Sequence, residues 1–133
     1  MNDDRFLSLV DSLIEKNEYV PVIVEGIRDE RSLRLIGLNG VIIIYNRGET
    51  LNEFSDRISR MYSEVIILFD NDRRGRYLTK SVKGLLESRG VKVDIAYREL
   101  IFSMLEIKGI EELFTFYEES LDRKINGKRR KVQ

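Results

Sequence analysis

The chain has 133 residues, 35% of them charged, and its 23 basic side chains balance its 23 acidic ones. That length suits one domain with a real hydrophobic core, and no apolar run is long enough to span a membrane. With no cysteine and no histidine, disulfides, thiolate metal sites and imidazole catalysis are excluded, so chemistry falls to carboxylates, Lys, Arg, Tyr or Ser, and any metal should favour oxygen.

Phe6, Leu9, Val10, Leu13 and Ile14 recur at helical spacing behind the capping residues Asn2 to Asp4, which predicts a first helix to about Asn17. The acids near the start and the lack of a cleavable apolar segment argue against a secretory signal, so a cytoplasmic setting is expected. Val20 to Val24 reads as a strand, with Pro21 near its start where a missing N–H is tolerated. Asp29 to Leu35 reads as a short helix. Turn residues lead into a second strand, Val41 to Tyr45, and Leu51, Phe54, Ile58 and Met61 mark a further amphipathic helix.

Val65 to Phe69 is the third strand, and Leu78, Val82, Leu85 and Leu86 form a helical stripe that stops at Gly90. "VKVDIAY" alternates like a fourth strand at a sheet edge. From Glu99 the pattern is helical again, with a break near Lys108-Gly109. Leu113, Phe114, Phe116, Tyr117 and Leu121 in the last helix are read as core packing rather than as a docking face.

Strands alternating with helices indicate an α/β fold with about four mostly parallel strands between helices. Residues 1–122 form one domain with 17 cations and 23 anions, followed by a basic tail, residues 123–133, with six cations and no acid. Such a tail either meets nucleic acid or solubilises the chain end. The high charge without Cys, His or Trp resembles thermophile composition.

Two strands end in acid: Glu25 after "VPVIV" and Asp70 after "VIILF", with Asp72 two residues on. In open parallel sheets ligands bind at the carboxyl ends of the strands, where the strand order reverses. Residues i and i+2 of an extended segment project to one side, so the three carboxylates would converge and repel unless a divalent cation neutralised them. Gly26 and Gly75 would allow close backbone approach. Arg73, Arg74, Arg76 and Lys80 follow the aspartates, while Arg28 and Arg47 follow the first two strands, a supply of phosphate clamps. Asp-Asn-Asp is also a common turn and helix cap. Receiver domains and haloacid-dehalogenase phosphatases place an aspartate at a strand end too, but their accompanying acids, Lys or Thr are not matched here. Tyr77 stands beside the aspartates with nothing to make it a nucleophile, so packing is its expected role.

"VIVEGIRDERSL" followed by "VIILFDNDRRGR" resembles the Toprim domain shared by topoisomerases, bacterial-type primases, recombination-repair proteins and some ribonucleases. The matching positions are Glu25, Gly26, Asp29, Gly48, Asp70, Asp72 and Gly75. The resemblance implies a Rossmann-like fold, Glu25 as general acid/base, and Asp70 and Asp72 binding Mg²⁺ (or Mn²⁺) with Glu25 and Asp29 assisting. Bacterial-type primases carry a further Lys-Asp-Pro-Asp motif; here the nearest match is Lys108-Gly109-Ile110-Glu111, one acid short. Without cysteine for a primase's zinc domain, or room for a topoisomerase's strand-passage domain, the chain is most similar to small stand-alone Toprim proteins and to the Toprim core of the ribonuclease that matures 5S ribosomal RNA. The implied activity is a Mg²⁺-dependent nuclease or phosphoryl transfer on RNA or DNA. The alternative is a non-catalytic nucleic-acid-binding or scaffold subunit that works with a protein partner in RNA processing or replication.

Overall fold

A computed structural model describes residues 2–45 and 48–132, with side chains through residue 127. The elements alternate as the sequence patterning predicts: α1 (Asp3–Asn17), β1 (Val22–Val24), α2 (Ile27–Ile36), β2 (Ile42–Ile44), α3 (Leu51–Met61), β3 (Glu64–Ile67), α4 (Arg73–Glu87), β4 (Lys92–Asp94) and α5 (Ala96–Met104). A single 3₁₀ turn (Ile110–Glu112) then leads into α6 (Leu113–Val132).

Helix starts follow local chemistry. Asn2 accepts the Arg5 N–H to cap α1, Thr50 and Glu53 form a reciprocal capping box on α3, and Asp72 caps α4. Gly37, at φ 118°, ends α2 in the left-handed region that a side chain disfavours.

The four strands form one parallel sheet in the order β2-β1-β3-β4. Strand order therefore reverses between β1 and β3, the two strands that lead into Glu25 and Asp70. Both β2 and β4 are edges; only β4 is marked as one by its sequence, because Ile42–Ile44 is uniformly apolar although half-buried.

The pleat sorts each central strand between two cores. Val22, Val24, Ile66 and Leu68 pack with Phe6, Leu13, Leu33, Ile101 and Leu113 on one face. Ile23, Val65, Ile67 and Phe69 pack with Phe54, Ile58, Leu78 and Val82 on the other. Each fully buried Val, Leu, Ile or Phe side chain contributes about 1.5–3 kcal/mol of transfer free energy, which makes β1 and β3 the rigid centre on which the site stands. Leu113 is fully buried, Phe114, Phe116 and Tyr117 are half-buried, and Leu121 is exposed.

The basic end of the chain continues α6 through Val132. Arg123 clasps Asp3 with two hydrogen bonds of 2.9 and 3.0 Å, and Lys124 pairs with Asp4, which ties the last helix to the first turn of α1. Among the described residues no helix is long and apolar enough to cross a membrane.

Candidate metal and phosphate site

Glu25 and Asp70 leave neighbouring strands at the carboxyl edge of the sheet. The Glu25 Oε2 accepts the backbone N–H of Asp70 at 2.8 Å, so the first acid is latched to the turn that carries the second. Asp70 Oδ1 in turn accepts the N–H of Ile110 at 2.9 Å. Asp29, buried in the first turn of α2, reaches back to accept the Gly26 N–H at 3.1 Å. Asp72 Oδ1 accepts the Gly75 N–H at 2.7 Å and so caps α4. Each of the four acids thus accepts a backbone N–H through one oxygen. The second oxygens of Glu25, Asp70 and Asp72 take no hydrogen bond among the described residues.

The turn bearing Asp70 is held from beneath by Arg98 of α5, whose guanidinium is almost fully buried. Its Nε donates to the Phe69 carbonyl at 2.9 Å and its Nη2 to the Asp70 carbonyl at 2.8 Å. The Asn71 N–H donates to the Lys108 carbonyl at 2.6 Å. Gly75 packs so tightly under this turn that a Cβ there would overlap the Asp70 carbonyl. At Gly26 no such approach occurs: a Cβ would lie 3.9 Å from Asp29 Oδ2, an ordinary contact.

A cleft of about 310 Å³ opens above these groups, lined by Glu25, Gly26, Arg28, Asp29, Asp70 and Glu111, with Ile27 at its rim. Burial first, and then the negative charges of Asp29, Glu25 and Asp72, push the Asp70 carboxyl up to about 7, against the pull of the Ile110 N–H. Asp29 is also raised, first by burial and then by Glu25 and Glu111. Close-set acids in a half-buried cleft repel one another, which a cation would relieve.

The structure distributes the expected residues unevenly. Glu25, Asp29, Asp70 and Arg28 share the cleft, whereas Asp72 is exposed and absent from its lining. Arg73, Arg74 and Arg76 are exposed at the start of α4, with Arg76 donating to the Asn71 carbonyl at 3.3 Å. Lys80 lines a different groove, and Gly48 is exposed in the turn after β2. Arg47 lies outside the described residues. Tyr77 is 62% exposed rather than packed, because it falls on the outer stripe of α4, away from the buried Leu78 and Val82.

Two residues of the site were not singled out by sequence. Glu111 was visible only as the remnant of the primase-type acidic motif. Arg98 carried a weaker signal: with Ile101 and Leu105 it occupies one helical stripe, a charge where burial was due.

The donor chemistry suits a hard divalent cation, since every candidate ligand is a carboxylate. Among the described residues no group of three acids is arranged to hold a metal ion; Mg²⁺ typically binds through one or two carboxylates and keeps several waters.

The Toprim domain model matches residues 20–97, more than half of the chain. The chain belongs to the Toprim domain family. Small archaeal proteins are similar to this Toprim chain over nearly their whole length. A UPF0292 protein of Thermoplasma volcanium is 41% identical over 110 residues, covering 83% of this chain and 92% of that one. A UPF0292 protein of Pyrococcus horikoshii is 42% identical over 118 residues, covering 87% and 86%. Among solved structures, a protein from Aquifex aeolicus superposes with a TM-score of 0.69 at 27% identity, over 79% of this chain and 94% of its own. The zinc-binding and RNA polymerase domains of the Aquifex aeolicus primase superpose with a TM-score of 0.51 at 28% identity, covering 90% of this chain and 28% of that one. Arg98, Ile110 and Glu111 lie beyond the matched Toprim residues, so the segment that clamps Asp70 is contributed from outside them.

Proposed function

We propose that this Toprim chain is a Mg²⁺-dependent phosphoryl-transfer protein that hydrolyses phosphodiester bonds in nucleic acid. The observation that carries the reading is the meeting of Glu25 and Asp70 at the strand-order reversal, with Asp29, Glu111 and Arg28 beside them. The likeness to a primase that contains RNA polymerase domains supports nucleic acid as the partner.

Asp70, with Glu25, Asp29 or Asp72, would hold the ion. When bound, Mg²⁺ supplies charge neutralisation at phosphate oxygens and a more acidic bound water. Arg28 and the Arg73, Arg74 and Arg76 row offer guanidinium contacts to the flanking phosphates. Glu25, steadied through Oε2 by the Asp70 amide, keeps its other oxygen for the proton of the attacking water. The new P–O bond forms as the P–O bond to the leaving oxygen breaks, and that oxygen takes a proton from solvent water.

A non-catalytic binding role has one observation in its favour. Asp29 and Asp72 each serve as a helix cap, and among the described residues no group of three acids is arranged to hold a metal ion. Incubating the purified protein with structured RNA, single strands and duplexes, with Mg²⁺ or Mn²⁺, separates the two. Metal-dependent cleavage that Asp70→Asn and Glu25→Gln abolish supports hydrolysis; binding without cleavage of any substrate favours the scaffold role.

A further inference from the structure

A second concavity lies away from the acids, where the first turn of α3 meets the outer face of α4. It has a volume of about 600 Å³ and is lined by Leu51, Asn52, Tyr77, Lys80, Gly84 and Leu85, with Ser81 completing the wall. We propose that this groove receives one unpaired nucleobase, stacked on Tyr77, while Arg73, Arg74 and Lys80 hold the phosphates on either side of it. The inference rests on the nucleic-acid reading above and names the class of strand: single-stranded, or locally unpaired.

Three independent features converge on this occupant. The first is Tyr77 itself. Tyr77 is 62% exposed and makes no hydrogen bond or ring contact among the described residues. An exposed aromatic ring beside a basic stripe is the platform on which unstacked bases rest, whereas a base in a duplex keeps its faces covered by its neighbours.

The second is charge. Arg73, Arg74 and Lys80 form no ion pair among the described residues, although other cations on this face do. Lys83 pairs with Glu87, Arg89 with Asp56, Arg57 with Glu49, and Arg60 with Asp56. The unpaired cations lie at separations of three or four residues from Tyr77, hence on its side of the helix. The helix end itself is met by the Asp72 cap, so the positive charge here comes from the side chains. In a domain whose body is acidic, this stripe is where a polyanion is favoured.

The third is Gly84, one helical repeat of seven residues beyond Tyr77 on the same stripe. Glycine is a poor helix former, and here no packing demands it: a Cβ would meet nothing within 4 Å. What Gly84 provides is depth on the groove floor beside the ring.

Binding of a short oligonucleotide carrying 2-aminopurine, as single strand and as duplex, tests the proposal. It is measured with Ca²⁺ in place of Mg²⁺ so that no cleavage is needed. The single strand should bind with quenching of the probe, and Tyr77→Ala should weaken that binding by roughly tenfold to a hundredfold and remove the quenching. Tyr77→Phe should bind as the wild type does. Gly84→Leu, which fills the groove without disturbing the buried face of α4, should weaken the single strand while the thermal midpoint holds. Duplex affinity, set by phosphate contacts, should not respond to Tyr77→Ala. If single strand and duplex bind alike and Tyr77→Ala changes neither, the stacking site is overturned while the nucleic-acid reading stands. If Gly84→Leu alters self-association and leaves oligonucleotide binding intact, the groove belongs to a second copy of the chain and the proposal falls. Tyr77-dependent binding with no cleavage under any metal upholds the groove and removes the hydrolytic reading instead. Failure of every strand to bind overturns both.

Discussion

Glu25 and Asp70 are joined through the main chain: the carboxylate of Glu25 accepts the amide of Asp70 at 2.8 Å, across the two central strands. The link makes Glu25 both a candidate proton carrier and a fastening for the turn that presents Asp70. These duties can be separated. Glu25→Gln keeps an amide oxygen for the latch, so it should fold normally and lose metal-dependent cleavage by a factor of about 10² or more. Glu25→Ala leaves the Asp70 amide without its partner and should cost about 1–3 kcal/mol as well. Urea unfolding alongside single-turnover cleavage reads both effects; equal stability in the two variants would contradict the latch.

Asp70 should make the metal-free protein less stable as pH rises. Its carboxyl is pushed up to about 7 by burial and then by Asp29, Glu25 and Asp72, whereas in the unfolded chain it titrates near about 3.9. Between these values the folded protein holds a proton that the unfolded chain has released, so stability falls across that window and levels off above it. Asp29, raised chiefly by burial, acts in the same direction. The thermal midpoint of Asp70→Asn should therefore gain on the wild type as pH increases from about 4 to about 7. Mg²⁺ near neutral pH should narrow the difference. A difference that stays constant with pH would contradict a raised Asp70.

Arg98 positions the site without lining the cleft. Its hydrogen bond to the Phe69 carbonyl is buried and that to the Asp70 carbonyl is part-buried. Arg98→Ala should lower stability by about 2–4 kcal/mol. Arg98→Lys, which keeps the charge but not the fork, should retain part of that stability and still weaken Mg²⁺ binding by roughly tenfold or more. Calorimetric titration with Mg²⁺ beside thermal melts distinguishes the two: unchanged metal affinity in Arg98→Lys would leave Arg98 a purely structural residue.

Three glycines should answer differently to alanine. Gly75→Ala forces a methyl group into the Asp70 carbonyl and should destabilise by about 1–3 kcal/mol or more. Gly26→Ala has ordinary space and should change stability by less than about 0.5 kcal/mol. Gly84→Ala, mid-helix and unobstructed, should stabilise by up to about 1 kcal/mol. Thermal denaturation of the three variants checks the ranking.

Much of the framework was legible in the sequence because it depends on short-range patterns. The apolar runs ending at Glu25 and near Asp70 mark buried parallel strands, and these are neighbours in the sheet. Asp72 was harder to place. The rule that i and i+2 point alike holds only while the chain stays extended, and the ladder ends at Ile67; by Asp72 the backbone is already turning into α4. For Tyr77 the sequence points to packing, because periodicity identifies a helix sooner than it identifies which turn leaves the core. Arg98 and the Ile110 amide were illegible for another reason. Their partners lie 28 and 40 residues away, and nothing local in the sequence encodes such contacts.

That dependence on distant segments has a temporal consequence. The sheet can be complete once β4 has formed, yet the Asp70 turn still lacks the donors from Arg98 and Ile110 and the Lys108 carbonyl that accepts the Asn71 N–H. During synthesis the acidic cleft therefore takes shape only after the later helices have left the ribosome and docked. A half-made chain presents its acids without their setting.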